Sequence, residues 1–113
     1  MTIRANQYIK TAFSIEDANT LEKEISNAKD ANDEIIIDFT NIKFFTTLFF
    51  NNSICKHVLE LGPELFNKKY KIINISDVGK STYDHSYENA VEYYKLSPED
   101  REVQSEIVES DEM

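Results

Sequence analysis

The sequence predicts an α/β layered domain, a mainly parallel sheet with helices packed against it. Two isoleucine-rich runs, "EIIIDF" and "YKIINIS", are apolar without alternation, the pattern of strands covered on both faces. Around them, apolar residues recur at steps of three and four, the period of amphipathic helices. Only two Gly and two Pro occur in 113 residues, which disfavours a loop-rich sandwich and leaves a few regular elements with short links.

Taken in order, the segment around "QYIKTAF" alternates weakly and reads as a short first strand. "SIEDANTLEKEISNAKD" is a helix, with Ser14 as N-cap and Asp17 three residues on, the capping-box spacing. Ala18, Leu21, Ile25 and Ala28 form its apolar stripe, and "DAND" ends it. "EIIIDF" is a buried strand and "TNIKFF" a short connection with buried residues of its own. From Leu48 to Leu61 the spacing predicts a second helix with Phe50, Ile54, Val58 and Leu61 on one face, stopped by Gly62-Pro63. "ELFNKK" links to the strand "YKIINIS", and Ser76 or a nearby residue opens a third helix through "YENAVEYYKL". "SPED" restarts a helix, with Ser97 as cap and Pro98 in its first turn, before a frayed end.

The chain therefore divides into a domain over 1–96 and an acidic extension over 97–113. The extension holds seven acidic residues and one arginine, net −6 of the total −9, so the body is nearly balanced. A chain without a basic face is a poor nucleic-acid binder, because phosphate contacts come largely from Lys and Arg. No apolar run approaches the ~20 residues that span a bilayer. The N-terminus has no signal-peptide pattern, and the single cysteine, Cys55, excludes an intrachain disulfide. A reducing, cytoplasmic location is the expectation, with no membrane partner.

Several candidate sites weaken on inspection. "IINISDVGKST" has the order strand, Gly-Lys-Ser, helix, but Asn74 stands where a phosphate-binding loop needs its first glycine. Asp84, His85 and His57 lack the ligand set of a metal site, so no metal and no cofactor are expected. Tyr83, Tyr87, Tyr93 and Tyr94 read as half-buried packing residues. Cys55 and His57 lie on different helix faces, and no set of nucleophile, base and orienting group can be assembled, so an enzyme is not expected.

Thr46 and Thr47 remain. A threonine before an apolar helix is a good N-cap. A hydroxyl there also lies at the surface, where a phosphate would be favoured by the helix dipole and could block a partner.

The stretch "EIIIDFTNIKFFTTLFFNNSICKHVLELGPELFNKKYKIINIS" resembles the STAS-like domain of unknown function, a bacterial relative of the sulphate-transporter and anti-sigma-factor-antagonist domains. The likeness rests on the strand ending "IIIDF", the link to "FF", the hydroxyl cluster opening a helix, and "FNKKYKIINIS". It is strongest over residues 34–76 and looser through Tyr94. In anti-sigma-factor antagonists the helix opens Asp-Ser-Ser-Gly, and a partner kinase phosphorylates the first serine. Laid on that pattern, Thr46 falls at the aspartate, Thr47 at the phosphorylated serine, Leu48 at the second serine and Phe49 at the glycine. Phe49 fits the STAS-like family better, where a serine cluster precedes Phe.

The resemblance implies a non-enzymatic regulatory module that binds a protein partner through Thr46, Thr47, Leu48, Phe49, Asn51, Asn52 and the first helix. A histidine-kinase-like ATPase is the partner class it implies, with Thr47 and then Thr46 as the candidate phosphorylation sites. The alternative is an acidic inhibitor or nucleic-acid mimic acting through the tail.

Overall fold

The computed structural model describes residues 1–96. Three parallel strands, β1 (Thr2–Arg4), β2 (Ile35–Asp38) and β3 (Tyr70–Ile73), form one sheet in the order β1-β2-β3. Ile37 lies opposite both Ile3 and Ile72, and Ile35 opposite Tyr70. The connections are helical. α1 (Ile15–Lys29) joins β1 to β2, and α2 (Thr47–Asn51), α3 (Lys56–Leu61) and α4 (Pro63–Lys69) lie between β2 and β3. α5 (Asp77–Lys95) follows β3.

Parallel crossovers are almost always right-handed, so strands added in one direction place their helices on one face. The burial pattern agrees: Ile3, Ile35, Ile37 and Tyr70 are buried, while Thr2, Arg4 and Lys71 on the other face are exposed and Ile36 is half-buried. The isoleucine runs therefore belong to a sheet covered on one face, not on both as their composition suggests.

The first strand also differs from expectation. It lies at Thr2–Arg4 and is followed by a 3-10 turn at Ala5–Gln7, while "QYIKTAF" supplies only a single parallel bridge from Ala12 to Phe45. α1 forms where its spacing places it. The Ser14 hydroxyl accepts from the Asp17 amide, Asp17 accepts from the Ser14 amide, and Ala18, Leu21, Ile25 and Ala28 are all buried.

The helix expected over 48–61 is broken into α2 and α3, because Asn52–Cys55 form turns. Ser53 turns its hydroxyl back to the Phe49 carbonyl at 2.7 Å, a bond that competes with regular helix. Gly62 ends α3 with φ of 84°, a conformation that favours glycine, and Pro63 opens α4. "ELFNKK" is therefore helix and not a link. Phe39, Phe49, Phe50 and Phe66 are fully buried. Phe39 meets Phe45, Phe49 and Phe50, and the rings continue through Tyr83, Tyr87, Phe66 and Tyr70 to His57. The "SPED" helix and the tail lie outside the described residues.

Candidate functional site

The loops at the C-terminal ends of parallel strands commonly form functional sites, and here they bring two segments together. The Ala12 amide donates to the Phe44 carbonyl at 2.8 Å, and the Thr46 amide donates to the Ala12 carbonyl at 3.0 Å. Thr46 completes the join. Its hydroxyl donates to the Phe13 carbonyl at 2.7 Å and accepts from the Phe49 amide at 3.1 Å, so it both caps α2 and ties it to the approach to α1.

Thr47 is the first residue of α2 and is half-buried. Its hydroxyl makes no hydrogen bond among the described residues. The two threonines thus differ in kind: one is structural, and the other leaves its hydroxyl uncommitted.

Around this pair the surface is apolar. Phe44 is 63% exposed, Phe13 59%, Ile15 48% and Leu48 44%. Phe13 and Phe44 flank the Ala12–Phe45 bridge, and Ile15 opens α1 one residue after its cap. Exposed apolar side chains gathered at one place, unlike scattered ones, mark interaction surfaces.

Of the residues expected to touch a partner, Leu48 is exposed but Phe49 is fully buried, so its ring belongs to the core. Its place on the surface is taken by Phe44, Phe13 and Ile15. Asn51 accepts from the Ser86 hydroxyl of α5, and Asn52 Nδ2 donates to the Leu48 carbonyl at 2.8 Å. Both asparagines therefore hold the site together. α2 has five residues, hardly more than one turn. Its dipole is correspondingly small, and the phosphate stabilisation expected of a long helix does not carry over.

The other sequence features resolve into structure. Ser76 caps α5 by accepting from the Gly79 amide at 3.1 Å, and Gly79 is buried in its first turn. Lys80 pairs with Asp84 at 3.2 Å. The Gly-Lys-Ser run is a helix start. At the end of β2, Asp38 accepts from the Thr40 amide and hydroxyl and from Asn74, and the Thr40 bonds chiefly hold its carboxyl below the usual range. Cys55 is buried beside Ser86, and burial pushes its thiol up to about 11, the reverse of a reactive cysteine. His57 is 2% exposed, with Nε2 3.1 Å from Glu22 Oε1 but off the line of a hydrogen bond. Burial lowers its pKa, against the opposing pull of Glu22 and Glu60. No cluster of three His, Cys, Asp or Glu side chains suited to a metal occurs among the described residues. Nor does any helix there have the length and apolarity to cross a membrane.

The fold and surface define a small parallel α/β domain with an apolar patch at the strands' C-terminal ends. The family model for the STAS-like domain of unknown function (DUF4325) matches residues 17–80, more than half of the chain. The chain belongs to this family. No curated protein and no solved structure matches it.

Proposed function

We propose that this STAS-like domain is a non-enzymatic regulatory module that docks a protein partner on the patch formed by Phe13, Ile15, Phe44 and Leu48. Thr47 is the residue that switches it. The observation that carries this reading is the contrast within the threonine pair: Thr46 is held by two hydrogen bonds while Thr47, at the same patch, is held by none. The partner class is a histidine-kinase-like ATPase that transfers the γ-phosphoryl group of ATP to the Thr47 oxygen, releasing ADP and the hydroxyl proton. The phosphate adds about −1.5 to −2 charges at pH 7. Charge set amid apolar contacts must be desolvated on docking, so the modified domain releases its partner.

The test is affinity capture from host lysate with wild type, Thr47→Glu and Phe44→Asp, followed by phosphosite mapping after incubation with the captured ATPase and ATP. Retention by wild type, loss by both variants and phosphate on Thr47 are the expected results. Unchanged retention by both variants, or an active captured ATPase that leaves Thr47 unmodified, overturns the reading. The acidic-inhibitor alternative falls on the extension, outside the described residues.

A further inference from the structure

A groove elsewhere on the domain is independent of the threonine patch. It has a volume of about 310 Å³, and Tyr70, Ile72, Ile75 and Tyr83 form its apolar wall between β3 and α5. Lys71 and Lys80, both exposed, supply its charge, and no carboxylate lines it. Three other surface hollows, of 360 to 430 Å³, all carry carboxylates: Asp77, Asp84 and Glu88 line one, Glu64 another and Asp17 the third. In a chain of net charge −9, the groove is a local cationic site. Its lysines are only loosely engaged. Lys71 Nζ donates to the Asn67 carbonyl at 3.0 Å, and the Lys80–Asp84 pair is exposed, where ion pairs contribute little.

The main chain beside the groove is open as well. β3 ends the strand order, so one of its edges has no neighbouring strand among the described residues. The Ile73 carbonyl accepts from the Phe39 amide at 3.1 Å, which turns the main-chain groups of Ile73 toward β2. Those groups alternate between the two edges of a strand, so the amide and carbonyl of Ile72 face outward. Such an edge is a template for a further strand. α5 reaches the core through Tyr83 on Phe50 and Tyr87 on Phe66, and the groove lies between it and β3. Unpaired main chain, an apolar wall and two lysines therefore meet at one place. A second copy is the poorer occupant. Two-fold pairing of β3 with itself would gather both copies of Lys71 and Lys80, and like charges across paired strands repel.

We propose that this groove docks an extended acidic segment of a partner protein, in which carboxylates alternate with aliphatic side chains, as an added strand on β3. Main-chain hydrogen bonds to Ile72 provide the pairing. Side chains of an added strand point alternately to the two faces of the sheet. One set meets the wall of Tyr70, Ile72, Ile75 and Tyr83. The other lies on the face of Lys71, the opposite one from Ile72, and there carboxylates are favoured.

The test titrates the full chain, with its isoleucine methyl groups labelled for NMR, with a capped heptapeptide of alternating glutamate and valine. Saturable shifts of the Ile72 and Ile75 methyl signals are the expected result, and a peptide with lysine in place of glutamate leaves them still. Lys71→Glu/Lys80→Glu weakens the peptide roughly tenfold, the sum of two exposed charge contacts. Two further peptides are N-methylated, one on every valine nitrogen and one on every glutamate nitrogen. Each blocks one edge of the peptide strand, so one of the two loses binding and the other keeps it. These peptides act on the unaltered chain and so guard against misfolding of the lysine variant. Methyl signals that stay in place overturn the proposal, as does equal binding of the two N-methylated peptides. So do Ile72 and Ile75 signals that move with protein concentration alone, because a second copy then holds the edge.

Discussion

Thr46 and Thr47 are adjacent and chemically identical, yet the structure gives them opposite work. Thr46 satisfies an α2 amide and bonds the Phe13 carbonyl across 33 residues of sequence. Removing both bonds by Thr46→Ala should lower unfolding free energy by about 2 kcal/mol, the sum of a lost cap and a lost hydrogen bond. Thr47→Val, which keeps the shape and deletes only the uncommitted hydroxyl, should stay within about 0.5 kcal/mol of wild type. Urea denaturation of the two variants checks the pair, and equal losses would show that the threonines are not distinct. A cap within the threonine pair was legible in its place before an apolar run, but that Thr46 rather than Thr47 supplies it was not. Nor was the bond from Thr46 to Phe13, because nothing in sequence joins positions 13 and 46. The exposure of Phe44 was half-legible: neighbouring aromatics in an extended link point to opposite sides, but which one faces out depends on the packing.

Among the elements, α2 shows how far tertiary contacts outweigh local preference. Five residues cannot sustain a helix alone. Phe49 and Phe50 hold this one in place, since Phe50 stacks on Phe45 and meets Phe39 and Tyr83 edge-on. The helix start of α5 closes on the same ring. A Cβ built on Gly79 would lie 2.7 Å from both Ile75 Cγ1 and Phe45 Cε2. Gly79→Ala gains roughly 1 kcal/mol of helix propensity, but overpacking of about 1–3 kcal/mol opposes it. The expected outcome is a net loss of up to about 2 kcal/mol, because Phe45, stacked on Phe50, has little room to retreat. A higher denaturation midpoint for Gly79→Ala would mean that Phe45 moves freely.

Across the fold, the coupling of α1, α3 and β3 passes through His57, which faces Glu22 of α1, Glu60 and the ring of Tyr70. Burial lowers its pKa, so the folded state resists a proton that the unfolded chain accepts near pH 6.5. The sign follows: His57 makes stability fall as pH drops below about 6.5 and contributes no slope above it. Asp17 adds a loss at lower pH. Partial burial raises its pKa, but hydrogen bonds from Thr11, Ser14 and the Phe13 amide hold it below the usual 3.8, so its contribution disappears as pH falls through that range. A His57→Phe variant should therefore show a flatter stability profile between pH 7 and about 5.5, read by thermal melts. An unaltered slope would assign the acid sensitivity elsewhere.

Local signals carried the class of fold. The capping box at Ser14, the stripe from Ala18 to Ala28 and the stop at Gly62 all depend on near neighbours, and each lies where spacing places it. The family likeness was legible in "IIIDF" and the segments after it. Non-local contacts decided the remainder. The first strand pairs at Thr2–Arg4 because it must align with Ile36–Asp38. The isoleucine runs are covered on one face because the crossovers share one hand and one direction. Phe49 points inward while Phe13, Ile15 and Phe44 gather outside, an arrangement set by the bridge between Ala12 and Phe45. Burial and adjacency are properties of segments far apart in the chain, and composition records neither.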